Sequence, residues 1–193
     1  MIKRLSLTTL AACAALALAA CASSPMGASS YPMVNPMVGG ASMFPTKDII
    51  DNAVNSKDHT TLVAAVKAAG LVDTLKSAGP FTVFAPVNAA FAALPAGTVD
   101  TLLKPENKAT LTKVLTYHVV PGKIDSVELA RRIQAGGGQA FLKTASGGTL
   151  TATMVGSNAM ITDDTGASAR ITIADVRQSN GIIHVVDKVL LPK

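Results

Sequence analysis

"ARITIADVRQSNGIIHVVDKVLLP", residues 169 to 192, is the stretch whose reading decides the fold. In its first half Ile171 and Ile173 alternate with Arg170 and Thr172, the period of a strand with one buried face. After Asn180-Gly181 the second half is a long apolar run that reads as a strand closing the chain. Just upstream, "QAFLKTA", "TLTATMV" and "NAMITDD" are separated by "SGG", "GS" and "TGAS", a series of hairpin signals. The last third of the chain is therefore read as strands joined by tight turns.

Further back the period changes. Thr46 can cap a short helix over "KDIIDNAV", and Asp58 or Thr60 can cap "TLVAAVKAAG". In the latter Leu62, Val66 and Ala69 share a face and Gly70 supplies the stop. "GPFTVFAP", bounded by Gly79-Pro80 and Pro86, reads as a buried strand. Residues 88 to 116 read as short helical pieces broken at Pro95 and Pro105, and "YHVV" as a brief strand closed by Pro121-Gly122. Asp125 with Glu128 three residues on makes a capping-box-like start for "SVELARRIQ", which ends at Gly136-Gly137-Gly138. Helices first and hairpins later predict an α+β fold, not the alternating pattern of a parallel sheet.

The N-terminus carries an address. Lys3 and Arg4 precede an apolar, Ala-rich run that is short for a membrane span, which needs about 20 strongly apolar residues. The run ends in "LAAC", Leu18 to Cys21, which resembles a bacterial lipobox. Residues 1–20 are then a signal peptide and Cys21 the acylated N-terminus, with plain secretion after "ALA" as the alternative. Ala22 in place of Asp points by the same analogy to the outer membrane. Residues 21–45, rich in Ser, Pro, Gly and Met, read as a lipid-anchored flexible linker, and residues 46–193 as one domain. Cys13 leaves with the signal, so the domain has no disulfide and must rely on burial. The formal charge of +5 falls to +3 once Lys3 and Arg4 are removed, and the remaining basic residues are scattered. With no Trp and two Tyr in the chain, there is no basic and aromatic platform for nucleic acid. Met26, Met33, Met37 and Met43 could offer thioethers to Cu(I), but a linker that tolerates methionine explains them as well.

The segments "FTVFAPVNAAF" (Phe81 to Phe91), "YHVVPGKI" (Tyr117 to Ile124) and "ADVRQSNGIIHVVDKVLLP" (Ala174 to Pro192) resemble, in order and spacing, three boxes of the fasciclin (FAS1) domain. The resemblance covers roughly Phe44 to Pro192. It implies a wedge of two packed β-sheets with several short helices, in a family of surface modules tied to adhesion and matrix binding and not known as enzymes. Val87 and Ala89 depart from the family's usual polar residues. In animal members, integrin-interaction sequences fall on positions matching Tyr117-His118 and Asp175-Val176. The resemblance therefore makes Tyr117, His118, Asp175 and Val176 partner-binding candidates, without implying that ligand here.

Residue chemistry weighs the same positions differently. His118 and His184 each sit among apolar residues, where a neutral, hydrogen-bonded core histidine is the commoner case; Tyr117 is expected nearer the surface, and His59, opening a helix, on it. No histidine pair has metal-ligand spacing, "ITDDTGAS" lacks the spaced oxygen ligands of a calcium loop, and there is no nucleophile elbow. No cofactor or metal is expected. The sequence predicts a non-enzymatic cell-envelope lipoprotein whose domain binds an envelope or extracellular protein, glycan or lipid. The alternative is a small apolar or lipid ligand held in a pocket of the domain.

Overall fold

The computed structural model describes residues 35–95 and 97–193; the segment read as a signal peptide, Cys21 and the first part of the segment read as a linker lie outside the described residues. A small hairpin of β1 (Met37–Val38) and β2 (Ala41–Ser42) precedes helices α1 (Ile49–Ala53), α2 (Thr60–Ala69) and α3 (Val72–Lys76). Strand β3 (Phe81–Pro86) is followed by α4 (Asn88–Ala92), α5 (Thr98–Leu103) and α6 (Lys108–Tyr117). Then come β4 (Val119–Pro121), α7 (Ser126–Ala135), β5 (Gln139–Lys143) and β6 (Thr149–Val155). Strands β7 (Asn158–Thr162), β8 (Ser168–Gln178) and β9 (Gly181–Val186) close the fold. Among the described residues β3 to β9 form one sheet of seven strands in the order β4-β3-β9-β8-β7-β6-β5.

Sequence explains who sits where in that sheet. The continuous apolar runs of β3 and β9 pair in parallel at its covered part, where every residue of β9 is buried. The alternating strands β5 and β6 bury every second residue and leave the other face to solvent. Strand β8 belongs to both regions. Ser168 to Arg170 pair with β7, and Ile171 onward pair with β9, with register shifts between Ile171 and Ile173 and between Ile173 and Val176. Bulges of this kind bend a strand and increase its twist. The bend brings Phe84 and Val186 from one half of the sheet onto Leu142, Leu150, Ala152 and Ile161 from the other, with Leu129 and Ile133 of α7 in the same cluster. The two packed sheets of the expectation are thus two halves of one sheet folded through β8. Where its ends meet, Ala145 N donates to Val119 O at 2.7 Å.

The helices cover the other face of β3 and β9. Leu62 and Val66 of α2 and Leu111 and Leu115 of α6 pack with Val83, Ile183 and Val185. Each such fully buried side chain contributes about 1.5–3 kcal/mol through its removal from water.

Three local expectations change. The first helix starts at Ile49 and is capped by Asp48, whose carboxylate accepts from Asp51 N, so Thr46 lies outside it. Tyr117 is the last residue of α6 and His118 its C-cap, so only Val119–Pro121 of "YHVVP" is strand. The segment expected to be flexible up to residue 45 is ordered from Met37, because Val38 and Met43 are buried in the helical core. Gly39 and Gly40, both with positive φ, make the turn between β1 and β2. The Gly-Gly pair flanked by Val38 and Ala41 is the hairpin signal that marks this.

Candidate functional site

The Tyr117-His118 pair is built by α6, which runs through Tyr117, one residue past the helical reading of the sequence, and ends on His118. Leu111, Val114 and Leu115 are buried on that helix in the helical core, His118 follows on the same face, and Tyr117 turns instead into the second core cluster with Phe84 and Leu150. Tyr117 is fully buried, at 0% exposure, so the expectation that it reaches the surface is overturned. Its hydroxyl donates to Thr149 O at 3.0 Å and accepts from Asp164 N at 2.9 Å, tying α6 to two hairpins. Burial pushes the phenol up to about 12. Gly148 makes room for the ring, since a Cβ there would stand 2.5 Å from Tyr117 Cε2.

His118 Nδ1 donates to Val114 O at 2.8 Å, and Nε2 accepts from Leu190 N at 3.0 Å. Both contacts together require the neutral ring, and burial accordingly pulls its pKa down to about 4. Beside it, Asp163 Oδ2 accepts from Leu191 N at 2.9 Å, while Oδ1 accepts from Thr165 N, Thr165 Oγ1 and Ala167 N. "ITDDTGAS" is therefore a turn tied by its own aspartate. His118 and Asp163 hold consecutive amides of the C-terminal segment.

Asp175 stands in the second bulge of β8, at φ 59, a backbone region that aspartate tolerates better than most residues. Its carboxylate accepts from Ser126 N at 2.7 Å and from the Ser126 hydroxyl, at the start of α7. Asp125 caps the same helix by accepting from Glu128 N, as its spacing predicts. Two carboxylates thus satisfy amides at the positive end of α7. Val176, the next residue, is buried in the helical core. His184 Nε2 donates to Ile124 O at 2.8 Å, Nδ1 accepts a long 3.4 Å bond from Asp175 N, and the ring stacks on Phe84 with centroids 5.7 Å apart. Burial lowers its pKa as well. Of the four partner-binding candidates, Tyr117, His118 and Val176 lie inside the fold, and Asp175 alone is partly exposed.

Above Asp175 and His184 the structure opens a cleft of about 180 Å³ that the sequence reading missed. Ser126, Leu129 and Ala130 of α7 form one wall, Met154 and Asn158 of the β6–β7 hairpin another, and Ile171 and His184 the base. Met154, Val155 and Val127, all on these two elements, are exposed large apolar side chains. Val127 and Val155 lie 28 positions apart, so no local pattern links them.

A second space, of about 40 Å³, lies between the small hairpin, α1, α2 and the inner face of the sheet, with almost wholly apolar walls. His59 lines it and is buried, contrary to the surface position expected for it. Among the described residues no helix is long and apolar enough to cross a membrane, and no cluster of three His, Cys, Asp or Glu side chains could hold a metal ion.

Comparison with known proteins places this geometry. The family model of the fasciclin domain matches residues 57–192. The chain is 49% identical over 144 residues to Protein sll1483 of Synechocystis sp., covering 75% of this chain and 73% of that one. It is 31% identical over 172 residues to the cell surface glycolipoprotein MPB83 of Mycobacterium bovis, covering 86% of this chain and 70% of that protein. Among solved structures, a FAS1 domain pair from the insect cell adhesion molecule Fasciclin I superposes with a TM-score of 0.68 at 18% identity. That match covers 75% of this chain and 51% of the pair, so the chain spans about half of it. The boxes at Phe81, Tyr117 and Ala174, the bulged strand that joins the sheet halves, and a family match over most of the chain lead to one assignment: the chain belongs to the fasciclin domain family.

Proposed function

We propose that the protein is a lipid-anchored envelope protein whose fasciclin domain is a non-enzymatic adhesion and interaction module. The observation that carries this reading is the cleft between α7 and the β6–β7 hairpin, with the exposed apolar side chain of Met154 on its wall beside Leu129 and Ile171. A concavity walled by an exposed apolar side chain suits a protein partner that inserts an apolar side chain of its own. Asp175 then acts from beneath, by fixing the start of α7, and Tyr117 and His118 act as scaffold. Anchoring through Cys21 rests on "LAAC", and the relative described as a cell surface glycolipoprotein supports it.

Retention on envelope fractions of the producing cell tests the module. Met154→Asp, at an exposed position on the cleft wall, is expected to cut retention about tenfold while the melting temperature holds. Unchanged retention would remove the cleft from the interaction. Mass spectrometry of the mature N-terminus tests the anchor separately: an unmodified chain beginning elsewhere than Cys21 would refute it.

A further inference from the structure

Beside the α7 cleft the sheet parts. Pairing of β7 with β8 runs from Thr162 and Ser168 to Met160 and Arg170 and stops there. Continued, that register would set Ala159 opposite Ile171 and Asn158 opposite Thr172. Instead the first register shift of β8 falls between Ile171 and Ile173, and a bulge there bends the strand away. From Thr172 to Ala174, β8 therefore has β9 along one edge and, among the described residues, no strand along the other. None of these three residues makes a main-chain bond outside strand pairing, and Thr172 and Ala174 are exposed. The start of α7 stands close by but bonds the Asp175 carboxylate, through Ser126 N and Oγ, and not the main chain of β8. The cleft occupies this opening: Asn158 and Ala159 of β7 line one side, and Ile171, Thr172 and Ala174 of β8 the other.

We propose that this opening is a strand-addition site: an extended peptide segment lays its main chain along the free edge of β8 at Thr172–Ala174 and places one uncharged apolar side chain in the cleft. The inference rests on the reading of the cleft as the interaction site and names the kind of partner it takes. An unpaired strand edge offers main-chain donors and acceptors in a spacing that another extended chain matches. Exposed edges are usually blunted by charge, proline or a covering element, and Thr172-Ile173-Ala174 carries neither charge nor proline. Side chains of an added strand alternate between faces, so one can enter the cleft while its neighbours point away. The cleft then selects that side chain. Its volume of about 180 Å³ compares with roughly 150 Å³ for a cavity that holds benzene, which suits leucine, methionine or phenylalanine. No Asp, Glu, Lys or Arg lines it, so a charged side chain would be buried without a counter-charge. Ser157, Asn158 and Thr172 add hydroxyl and amide groups to the lining, which suit a peptide main chain better than a lipid tail.

The test is an NMR titration of the full chain carrying Cys21→Ser, with the blocked peptide acetyl-Thr-Thr-Leu-Thr-Thr-amide and its analogue with a central Asp as probes. The Leu peptide is expected to shift the Thr172–Ala174 amides and the Met154 methyl in a saturable way, with the Asp analogue about tenfold weaker or worse. N-methylation reads the main-chain pairing separately. Successive N–H groups of a strand point to opposite edges, so a methyl on the Leu nitrogen and one on the next Thr nitrogen should act unequally. One of the two should lose roughly threefold to tenfold in affinity, the worth of one hydrogen bond, and the other should lose little. Shifts that never saturate, or that centre elsewhere, overturn the proposal, as does equal affinity for the Asp analogue. Equal effects of the two methyl groups overturn strand addition while leaving the cleft a pocket for a side chain. The converse result, unequal effects together with unchanged envelope retention of Met154→Asp, bears out strand addition and overturns the envelope-interaction reading alone.

Discussion

His118 and His59 are buried to the same degree, 3% exposed each, yet their surroundings differ in kind. His118 uses both ring nitrogens on backbone groups, Val114 O and Leu190 N, which lie 76 positions apart. His59 uses one nitrogen on the hydroxyl of Ser56, three residues away, and has no partner for the other. Both rings line the same apolar space, so burial does not distinguish them; the partners of their ring nitrogens do. The region around Tyr117 and His118 is a closed network in which each donor has its acceptor. The region under the small hairpin is apolar, incompletely filled and one bond short.

The closed network should show the largest energetic effect. Tyr117→Ala removes a fully buried aromatic ring and leaves Thr149 O and Asp164 N without their side-chain partner. A loss of about 3–5 kcal/mol is expected in chemical denaturation. Tyr117→Phe, which keeps the ring, should lose about 1–2 kcal/mol. If the two variants were equally mild, the packing argument for this region would fail.

Acid sharpens the comparison next. The His118 pKa is lowered from an ordinary 6.5 to about 4 in the fold, so the unfolded chain takes up its proton first as pH falls. The contribution of this ring is complete above pH 6.5 and is lost progressively down to about pH 4. It amounts to about 3 kcal/mol over that window. His59 and His184 act in the same direction. Denaturation curves from pH 7 to pH 4 should fall in wild type and fall less steeply in His118→Gln. Parallel curves would mean that His118 is not held neutral by its two backbone contacts.

Legibility in the sequence follows the range of each contact. The Asp125–Glu128 start of α7, the alternation in β5 and β6 and the strand at Phe81 are local, and all could be read directly. The α+β class followed from the change of period. Tyr117 was misplaced because its environment comes from Gly148, Thr149 and Asp164, which the tyrosine's own neighbours do not announce. His59 was misplaced because a helix start is usually exposed, whereas here the ring turns under Val38 and Met43 of a segment that composition alone reads as linker. The cleft needed both α7 and the β6–β7 hairpin in place before Leu129 and Met154 could be seen lining one concavity.

A smaller effect is expected at Asp175, which stands between the two kinds of region, since its carboxylate is committed to Ser126 but partly exposed. Asp175→Asn keeps a residue suited to φ 59 and removes the charge at the start of α7. It should lose about 1 kcal/mol and leave the sheet intact. Amide exchange in Ser126–Ala135 should quicken while that of β9 holds. Faster exchange in β9 would show that the bulge, and not the helix start, depends on the aspartate.

The smallest expected effect is also the most discriminating. If His59 is not part of a closed network, removing it together with its one partner should cost little. In Ser56→Ala/His59→Leu both members of the pair give way to apolar groups, and the unpartnered nitrogen disappears with them. Replacing both partners of a buried hydrogen bond by apolar groups of similar shape is close to neutral, so the double variant should stay within about 1 kcal/mol of wild type. His118→Leu cannot be compensated this way, because its partners are backbone groups that no substitution removes. It should lose about 3 kcal/mol. A double variant as unstable as His118→Leu would mean that His59 is structural after all, and the contrast between the two histidines would collapse. A double variant that is folded and as stable as wild type would show that the Ser56–His59 contact adds little to the fold, in contrast to the two backbone contacts of His118.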